Sequence, residues 1–321
     1  MKNQNCISSA NIVNIRGVIY VKKKSGFLII LLLCLNISGF TVDGAIEIQQ
    51  PAYNIFPVKI NNPGSYVLTS NLAVPAGKYG IEILTNNVTI DLNGHIISGS
   101  GQTGFHRSGI HANNRQNIKI YNGIIKNFKG NGIFVYGDNN QLKEINSSDN
   151  GGHGFNIKGT VIKMCSATKN TDGFYAQECT IIDCQGMNNK TTGFEVFDTI
   201  MENCLSINNG LFGIDAERSS ILQCSVLDNA NHYGMYANES IIINCNIAGN
   251  KNGMYILNKN QIRYNNIRNS QWYGMFVTGV NNYITHNSAS GNISIDYYII
   301  NNNNTNYIPM LTDGDNANLS W

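Results

Sequence analysis

The sequence predicts an all-β fold, a single-stranded right-handed parallel β-helix (solenoid) of about 10–12 coils. Three observations predict it. A glycine followed by an alternating apolar triplet recurs about every 20 residues, a second apolar element keeps step with it, and no proline lies between residues 76 and 308. A long proline-free stretch rich in Gly and Asn is typical of short strands joined by tight turns.

The glycine element alternates apolar and other residues after the glycine, which is the period-2 pattern of a half-buried strand. From Gly109 onward, successive copies begin 19 to 23 residues apart, and Ser294-Ile295-Asp296-Tyr297 is interpreted as a last copy. The copies begin at Gly80, Gly109, Gly132, Gly154, Gly173, Gly193, Gly213, Gly234, Gly253 and Gly274.

The second element reads apolar-x-x-Cys, with an asparagine five residues after each cysteine. Stacking equivalent strands about 4.8 Å apart would place the cysteines in one inward file and let the asparagines stack their amides at a turn. We expect a ladder of reduced thiols, with disulfides between neighbouring coils as the alternative, because free cysteine packs as a small hydrophobe. The cysteines are Cys165, Cys184, Cys204, Cys224 and Cys245.

Two other repeat folds fit less well. A leucine-rich repeat contains a segment similar to Ile-x-x-Cys-x-Val-x-x-Asn, but it needs a leucine-rich return segment where this chain has Gly, aromatic and β-branched residues. A left-handed prism built from hexapeptides would need coils of equal length, whereas the spacings vary from 19 to 23. Parallel strands joined by crossovers are expected to wind right-handed.

Residues 1–44 have the features of an N-terminal extension followed by a signal peptide. Lys22, Lys23 and Lys24 precede an apolar run over residues 27–35, and small residues permit cleavage after Gly44. The run is short for a membrane span, and an uncleaved N-terminal anchor is the alternative. We expect an exported protein, whether secreted, periplasmic or on the cell surface, with a β-helix and its N-terminal cap at residues 45–300 and a C-terminal cap or tail at residues 301–321.

The charge balance excludes one class of partner. Only 13% of the residues are charged and the formal net charge is +2. The chain therefore lacks a dense basic face for the phosphate contacts that dominate nucleic-acid affinity. We expect no nucleic-acid partner and no membrane contact beyond the N-terminal segment, and the oligomeric state stays open.

The repeats resemble those of right-handed parallel β-helix proteins of the pectin-lyase-like superfamily, especially NosD-like and carbohydrate-binding or sugar-hydrolase-like repeats. Residues 63–69 and 87–94 are similar to the first coil of many secreted members. The resemblance covers roughly residues 55 to 300 and implies the fold. It does not fix an activity, because the superfamily includes lyases, hydrolases, epimerases, phage tailspikes and non-catalytic binding proteins.

In this fold the middle residue of each glycine triplet faces outward, along an open groove. Glu195 and Asp215 are neighbours in that file, and two carboxylates one coil apart have the spacing of an acid and a nucleophile in retaining glycoside cleavage. The pair could instead share a Ca²⁺ ion, and no other cofactor or metal is expected. Ordinary solvated surface is the alternative to a ligand groove. The candidate substrate-binding residues are Tyr175, Tyr236, Tyr255, Phe276, Trp272 and Arg218.

His153 and Asp172, a second candidate catalytic pair, each precede a glycine on adjacent coils, and such a contact can orient an imidazole for proton transfer. Their surroundings are similar to short motifs of polygalacturonase-like hydrolases, but in reversed order and without that family's paired aspartates and basic motif. The similarity is therefore interpreted as coincidence. The Asp-Pro-His-Asp motif of alginate epimerases is also absent.

Two function hypotheses follow from the resemblance and the outward file. In the first, an exported β-helix binds polysaccharide or another glycan along the outward face, with cleavage or modification of that glycan left open. In the second, the stack is a non-catalytic surface or interaction scaffold that displays its loops.

Overall fold

A computed structural model of the chain describes residues 44–101, 106–229 and 231–300, together with the backbone of four short strands outside these ranges. Three of those strands, Val13–Ile15, Val18–Lys22 and Phe27–Leu28, pair antiparallel within a compact unit of their own, residues 1–40. Most of the predicted signal peptide and of the predicted C-terminal tail lies outside the described residues. Within the described residues, no helix has the length and apolar character that a membrane span needs.

The second unit, residues 41–321, is a parallel β-solenoid of about 12 turns, which confirms the predicted fold class. Each complete coil contributes one strand to each of three parallel sheets. The first sheet holds the strands that follow the repeated glycines. Its strands are Val58–Ile60, Ile81–Ile83, Ile110–Ala112, the beginnings of Ile133–Ser148 and His153–Lys163, Asp172–Gln177, Phe194–Phe197, Ile214–Glu217, Tyr233–Asn238, Asn252–Ile256, Tyr273–Val277 and Ile295–Ile299.

A short 3₁₀ turn, Ala52–Asn54, lies between strands of the first coils.

The second sheet contains the strands before the cysteine corner, and the third sheet contains the strands after it. The second sheet consists of Ile46–Ile48, Gly64–Leu68, Val88–Asp91, the start of Ile118–Lys126, the middle of Ile133–Ser148, the end of His153–Lys163, Thr180–Ile182, Ile200–Glu202, Ser220–Leu222, Ile241–Ile243, Gln261–Arg263, Tyr283–Thr285 and Asn306–Ile308. The third consists of Leu72–Val74, Ile96–Gly99, the ends of Ile118–Lys126 and Ile133–Ser148, Ser166–Thr168, Gln185–Met187, Leu205–Ile207, Ser225–Leu227, Asn246–Ala248, Asn266–Arg268 and Ser288–Ser290.

The core is a set of inward files, as the repeat predicts. Phe155, Phe174 and Phe194 are fully buried and stack in parallel, with ring centroids 4.8 and 4.6 Å apart. Burying a side chain of this size contributes about 1.5–3 kcal/mol. A single coil cannot enclose its own apolar face, so this stabilisation exists only in the stack.

The repeated glycine is required because the chain passes very close to its neighbours at that point. A Cβ atom on Gly173 would lie 2.3 Å from the carbonyl oxygen of Gly193, and one on Gly193 would lie 2.3 Å from Ser206 Oγ. These approaches are shorter than any real contact of a Cβ atom. The glycine file therefore reflects close packing at the start of the first sheet rather than a left-handed backbone.

Side-chain ladders stabilise the three corners of each coil. At the corner before the glycine, the Asn189 side chain accepts the backbone N–H of Asn170 at 3.0 Å, and the Asn209 side chain accepts that of Asn189 at 3.0 Å. This confirms the predicted asparagine stack. At a second corner, Cys204 Sγ accepts the backbone N–H of Cys184 at 3.4 Å, and the file of five cysteines is buried and carries free thiols.

The third corner holds a polar file that the sequence pattern did not indicate. Thr199 Oγ1 accepts the backbone N–H of Cys179 at 3.2 Å, and Ser219 Oγ accepts that of Thr199 at 3.1 Å. Cys179 is therefore buried at this corner rather than in the main cysteine file. Burial raises the pKa of its thiol to about 11, so the thiol stays protonated and unreactive at neutral pH.

The left-handed backbone of each corner belongs to the residue just before the ladder side chain, not to the ladder residue itself. Asp198, Arg218 and Asp228 have φ values of 50°, 49° and 54°. Two neighbouring residues therefore have different roles at each corner. The exposed residue adopts the left-handed backbone that turns the chain, and the buried residue after it hydrogen-bonds to the neighbouring coil.

The predicted alignment of the last copy is wrong by two residues. Tyr298, not Asp296, pairs with Phe276 and faces outward. Asp296 is buried and accepts a hydrogen bond from the side chain of Asn292 at 2.7 Å. That bond holds the carboxylate against the asparagine corner, and the outward position of this strand falls on Tyr298 instead.

Candidate functional site

The outward file of the first sheet has the predicted register. Tyr175 pairs with Glu195, Glu195 with Asp215, and Asp215 with Tyr236 on successive parallel strands. These side chains are half-buried, whereas the residues on either side of them in each strand are fully buried. The triplet after each glycine therefore contributes its first and third residues to the core and its middle residue to the outward face, where a ligand can reach it.

Glu195 and Asp215 form the centre of this file, and both carboxyl groups are harder to ionise than usual. Burial raises the pKa of Asp215 to about 6, and the charges of Glu195 and Glu217 add to the effect. Burial and then the charge of Asp172 raise the pKa of Glu195, while His153 opposes the increase. At neutral pH Asp215 is mainly ionised, and it takes up a proton on mild acidification.

His153 and Asp172 are in contact, with His153 Nδ1 3.3 Å from Asp172 Oδ2. The separation suits an ion pair, but Nδ1 makes no hydrogen bond within the described residues. The other carboxylate oxygen, Oδ1, accepts hydrogen bonds from the Thr191 hydroxyl and, at 3.1 Å, from the backbone N–H of Thr192. Asp172 is thereby fixed in place beside an imidazole that has an unused polar atom.

The two candidate pairs, treated separately in the sequence, form one cluster. The charges of Asp172 and His153 both act on Glu195, and the His153 ring lies 5.4 Å from that of Tyr175. We call His153, Asp172, Tyr175, Glu195 and Asp215 the acidic centre. Their roles in catalysis or binding stay predictions.

Aromatic rings continue the file on the C-terminal side of the acidic centre. The rings of Tyr236 and Tyr255 stack at 5.5 Å, and Tyr255 meets Phe276 edge-on at 5.2 Å. Trp272 is exposed at the margin, with Lys251 Nζ 5.8 Å from its ring centroid. The C-terminal aromatic segment comprises Phe212, Tyr233, Tyr236, Tyr255, Tyr273, Phe276 and Tyr298.

A second run of rings, which we call the N-terminal aromatic segment, lies on the other side of the acidic centre. Tyr79 stacks on His111 at 4.4 Å, His111 on Phe134 at 4.9 Å, and Phe134 on Tyr136 at 4.4 Å. Arg107 donates a hydrogen bond to the Tyr79 hydroxyl at 2.7 Å. The triplet pattern did not identify Tyr79 or Tyr136, because both lie just outside the triplets. Tyr79 comes directly before the glycine of one triplet, and Tyr136 directly follows the last residue of another.

Most cations near the face already have partners. Arg218 binds Asp198 at 2.9 Å and also contacts Glu217. Lys158 binds Glu178 at 3.0 Å. The carboxylates Glu178 and Asp198, at the ends of their strands, are therefore neutralised, and a role of Arg218 in substrate binding stays a prediction.

The predicted calcium site lacks a complete set of ligands among the described residues, where no three His, Cys, Asp or Glu side chains converge. Calcium takes 6–8 oxygen ligands, so Glu195 and Asp215 would have to be supplemented by water or by a ligand's hydroxyl groups. Calcium binding at this pair stays a prediction, which a calcium-dependent rise in melting temperature would support.

Comparison with known proteins agrees with this architecture. Residues 108–240 match the family model described as right handed beta helix region. The A-module of Azotobacter vinelandii mannuronan C-5 epimerase AlgE4 superposes with a TM-score of 0.61 at 17% identity, over 73% of this chain and 81% of that one. The AlgE6 A-module superposes with a TM-score of 0.60 at 17% identity, over 70% and 78%. No curated protein matches the chain in sequence.

The chain thus has the right-handed parallel β-helix fold that its repeats and their resemblance predict. At 17% identity the two epimerase modules show the fold alone. An activity has to be argued from the residues of the outward face.

Proposed function

We propose that this protein is exported and binds a polysaccharide lengthwise along the outward face of the first sheet. One observation carries the proposal: half-buried aromatic rings stack from coil to coil on both sides of a cluster of ionisable groups. Aromatic faces suit the apolar faces of sugar rings, and the ionisable groups suit hydroxyl or charged substituents. The Lys-rich and apolar N-terminal segment supports export.

The regular spacing of the face favours a polymer over a small molecule. Strands about 4.8 Å apart present one outward side chain per coil in a straight line. A ligand with repeating units can contact many coils at once, whereas an isolated sugar would contact only one or two. The AlgE4 and AlgE6 modules are named mannuronan C-5 epimerases, and mannuronan is a polysaccharide, so this ligand class is compatible with the fold.

Binding of defined oligosaccharides, measured by titration calorimetry after a glycan-array screen, tests the proposal. A double variant, Tyr236→Ala with Tyr255→Ala, removes two stacked rings from the C-terminal aromatic segment. We expect it to bind the best oligosaccharide at least about tenfold more weakly, since each ring contributes about 0.5–1.5 kcal/mol beyond its buried area. Tyr283→Ala is the matched control, because Tyr283 is an exposed tyrosine on the second sheet.

Two outcomes would favour the scaffold hypothesis instead. One is negligible binding of every glycan by the wild-type protein. The other is equal binding by the double variant and by Tyr283→Ala, because the face with the stacked rings would then contribute nothing.

A second candidate function is cleavage of the bound polymer at Glu195 and Asp215. The observation that favours it is the raised pKa of Asp215, about 6, next to a second carboxylate. Retaining glycosidases use one carboxyl as a general acid with a raised pKa and another as the nucleophile. Asp215 would be the acid and Glu195 the nucleophile.

Cleavage is tested by incubating the protein with uronate and neutral polysaccharides and measuring reducing ends and unsaturated products. Asp215→Asn should abolish any product that depends on the acid. Product formation by Asp215→Asn at the wild-type rate would exclude this assignment.

A further inference from the structure

The acidic centre carries more negative charge than its surroundings balance. Glu195 and Asp215 are aligned on adjacent strands, with Asp172 acting on Glu195 and Glu217 acting on Asp215. His153 is the one basic group found to act on Glu195, and no basic group is found to act on Asp215, among the residues that the structure describes.

Lys158 and Arg218 bind other carboxylates. Arg218 is held by Asp198 and Glu217, and Lys158 by Glu178. His153 lies against Asp172. Glu195 and Asp215 are therefore half-buried carboxylates without a lysine or arginine partner in the described ranges, and a charged group in that environment is stabilised by an opposite charge.

Two further polar atoms lie at the N-terminal end of the same cluster. His153 Nδ1 and Asn156 Oδ1 are buried and make no hydrogen bond within the described part of the chain. Asn156 pairs with Tyr175 and so is part of the outward file. Aromatic rings follow in both directions, which gives this cluster hydrophobic platforms on either side.

Building on the proposed function, we propose that the ligand is an amino-sugar polymer with free amino groups, one of whose ammonium groups binds between Glu195 and Asp215. Neighbouring sugar rings stack on Tyr175 and Tyr236, the adjacent residues of the file. An ammonium group donates charge-assisted hydrogen bonds to both carboxylates and balances their charge. In this role the pair recognises the ligand, whereas the second candidate function above would use the same two carboxyl groups for cleavage.

The same charges disfavour a polyuronate. Each uronate unit would place another carboxylate beside Asp172, Glu195, Asp215 and Glu217, where the basic groups His153 and Arg218 already contact Asp172 and Glu217. Like charges at this distance repel, and more strongly where the side chains are half-buried than in water. The ligand class therefore differs from the mannuronan in the names of the AlgE4 and AlgE6 modules, despite the shared fold.

Titration calorimetry with three oligosaccharides of equal length tests this inference: oligomers of glucosamine, of N-acetylglucosamine and of mannuronate. At neutral pH we expect the glucosamine oligomer to bind at least about tenfold more tightly than the other two. The variant Glu195→Gln with Asp215→Asn should lose that preference.

The control variant Asp183→Asn with Glu202→Gln removes the same two charges from the second-sheet side and should keep the preference. The inference is overturned if the mannuronate or the N-acetylated oligomer binds as tightly as the glucosamine oligomer, while polysaccharide binding then stands. It is also overturned if the control loses as much affinity as the Glu195 and Asp215 variant, because the attraction would then be general. Absence of binding by all three oligomers and by a wider glycan panel would contradict the proposed function itself.

Discussion

Replacing Asn209 with alanine would interrupt the asparagine ladder at one coil and isolate the bonds that link neighbouring coils. Asn209 Oδ1 accepts from the backbone N–H and from the side-chain amide of Asn189, both at 3.0 Å. Its Nδ2 donates to the carbonyl of Gly186 at 3.0 Å, to Ser206 Oγ at 3.0 Å and to Asn229 Oδ1 at 3.1 Å. The residue is nearly inaccessible, so water cannot replace these partners.

The expected loss of stability follows from the hydrogen bonds that the partners of Asn209 would no longer make. Leaving the buried N–H of Asn189 without an acceptor costs about 1–3 kcal/mol, and each further bond contributes about 0.5–1.5 kcal/mol. We expect Asn209→Ala to lower the free energy of unfolding by roughly 3–6 kcal/mol. Urea unfolding followed by circular dichroism measures it. Asn266→Ala, on the outward side of the third sheet, is the matched control and should change stability by less than about 0.5 kcal/mol. A loss below about 1 kcal/mol in Asn209→Ala would refute the ladder as a source of stability.

Three further predictions concern the core and the acidic centre. Gly173→Ala should lower the melting temperature by the equivalent of about 1–3 kcal/mol, because its Cβ would lie 2.3 Å from the Gly193 carbonyl; an unchanged melting temperature would contradict the close approach. Cys204→Asn should fold with nearly wild-type stability by urea unfolding, because Asn265 and Asn287 already occupy this file and accept backbone N–H groups there; aggregation of the variant would argue that the file needs thiols. Asp215→Asn should melt at a higher temperature than the wild type at neutral pH. The pKa of Asp215 in the folded protein, about 6, lies above its ordinary value, so ionisation of this carboxyl destabilises the fold. The wild type therefore gains stability as the pH falls through 6. The difference should shrink toward about pH 4, and a difference independent of pH would show that this carboxyl does not titrate as expected.

The repeat was readable because the backbone of each coil pairs directly with the next. Residues about 20 apart must occupy the same position, so the glycine of each triplet predicts a buried neighbour and an outward one. This reasoning placed Glu195 beside Asp215, and the register agrees. It failed at the end of the stack, where the copy has no glycine and Asp296 binds the corner asparagine instead.

The composition of the acidic centre was less predictable than its register. His153 and Asp172 belong to coils other than that of Glu195, and their influence on it depends on the direction of side chains at a strand's beginning, which a period-2 pattern does not specify. The same limit applies to Tyr79, Arg107 and Tyr136. Corner side chains were predictable only where one residue type recurred, as for Asn and Cys, and not where Thr, Ser and Cys alternate.

The fold itself does not require aromatic residues on the outward face of the first sheet, and this favours a ligand at that face. Glycine, asparagine and cysteine are fixed by close approach and by backbone hydrogen bonds, but an outward strand position accepts almost any residue. The strands of the third sheet, which follow the same stacking rules, contain no aromatic residue. A run of outward rings stacked over successive coils of the first sheet therefore needs a cause beyond solenoid stability, and a partner with stackable rings supplies it. Exchanging the outward residues of the two sheets would separate these causes: stability should survive the exchange, whereas glycan binding should move with the rings.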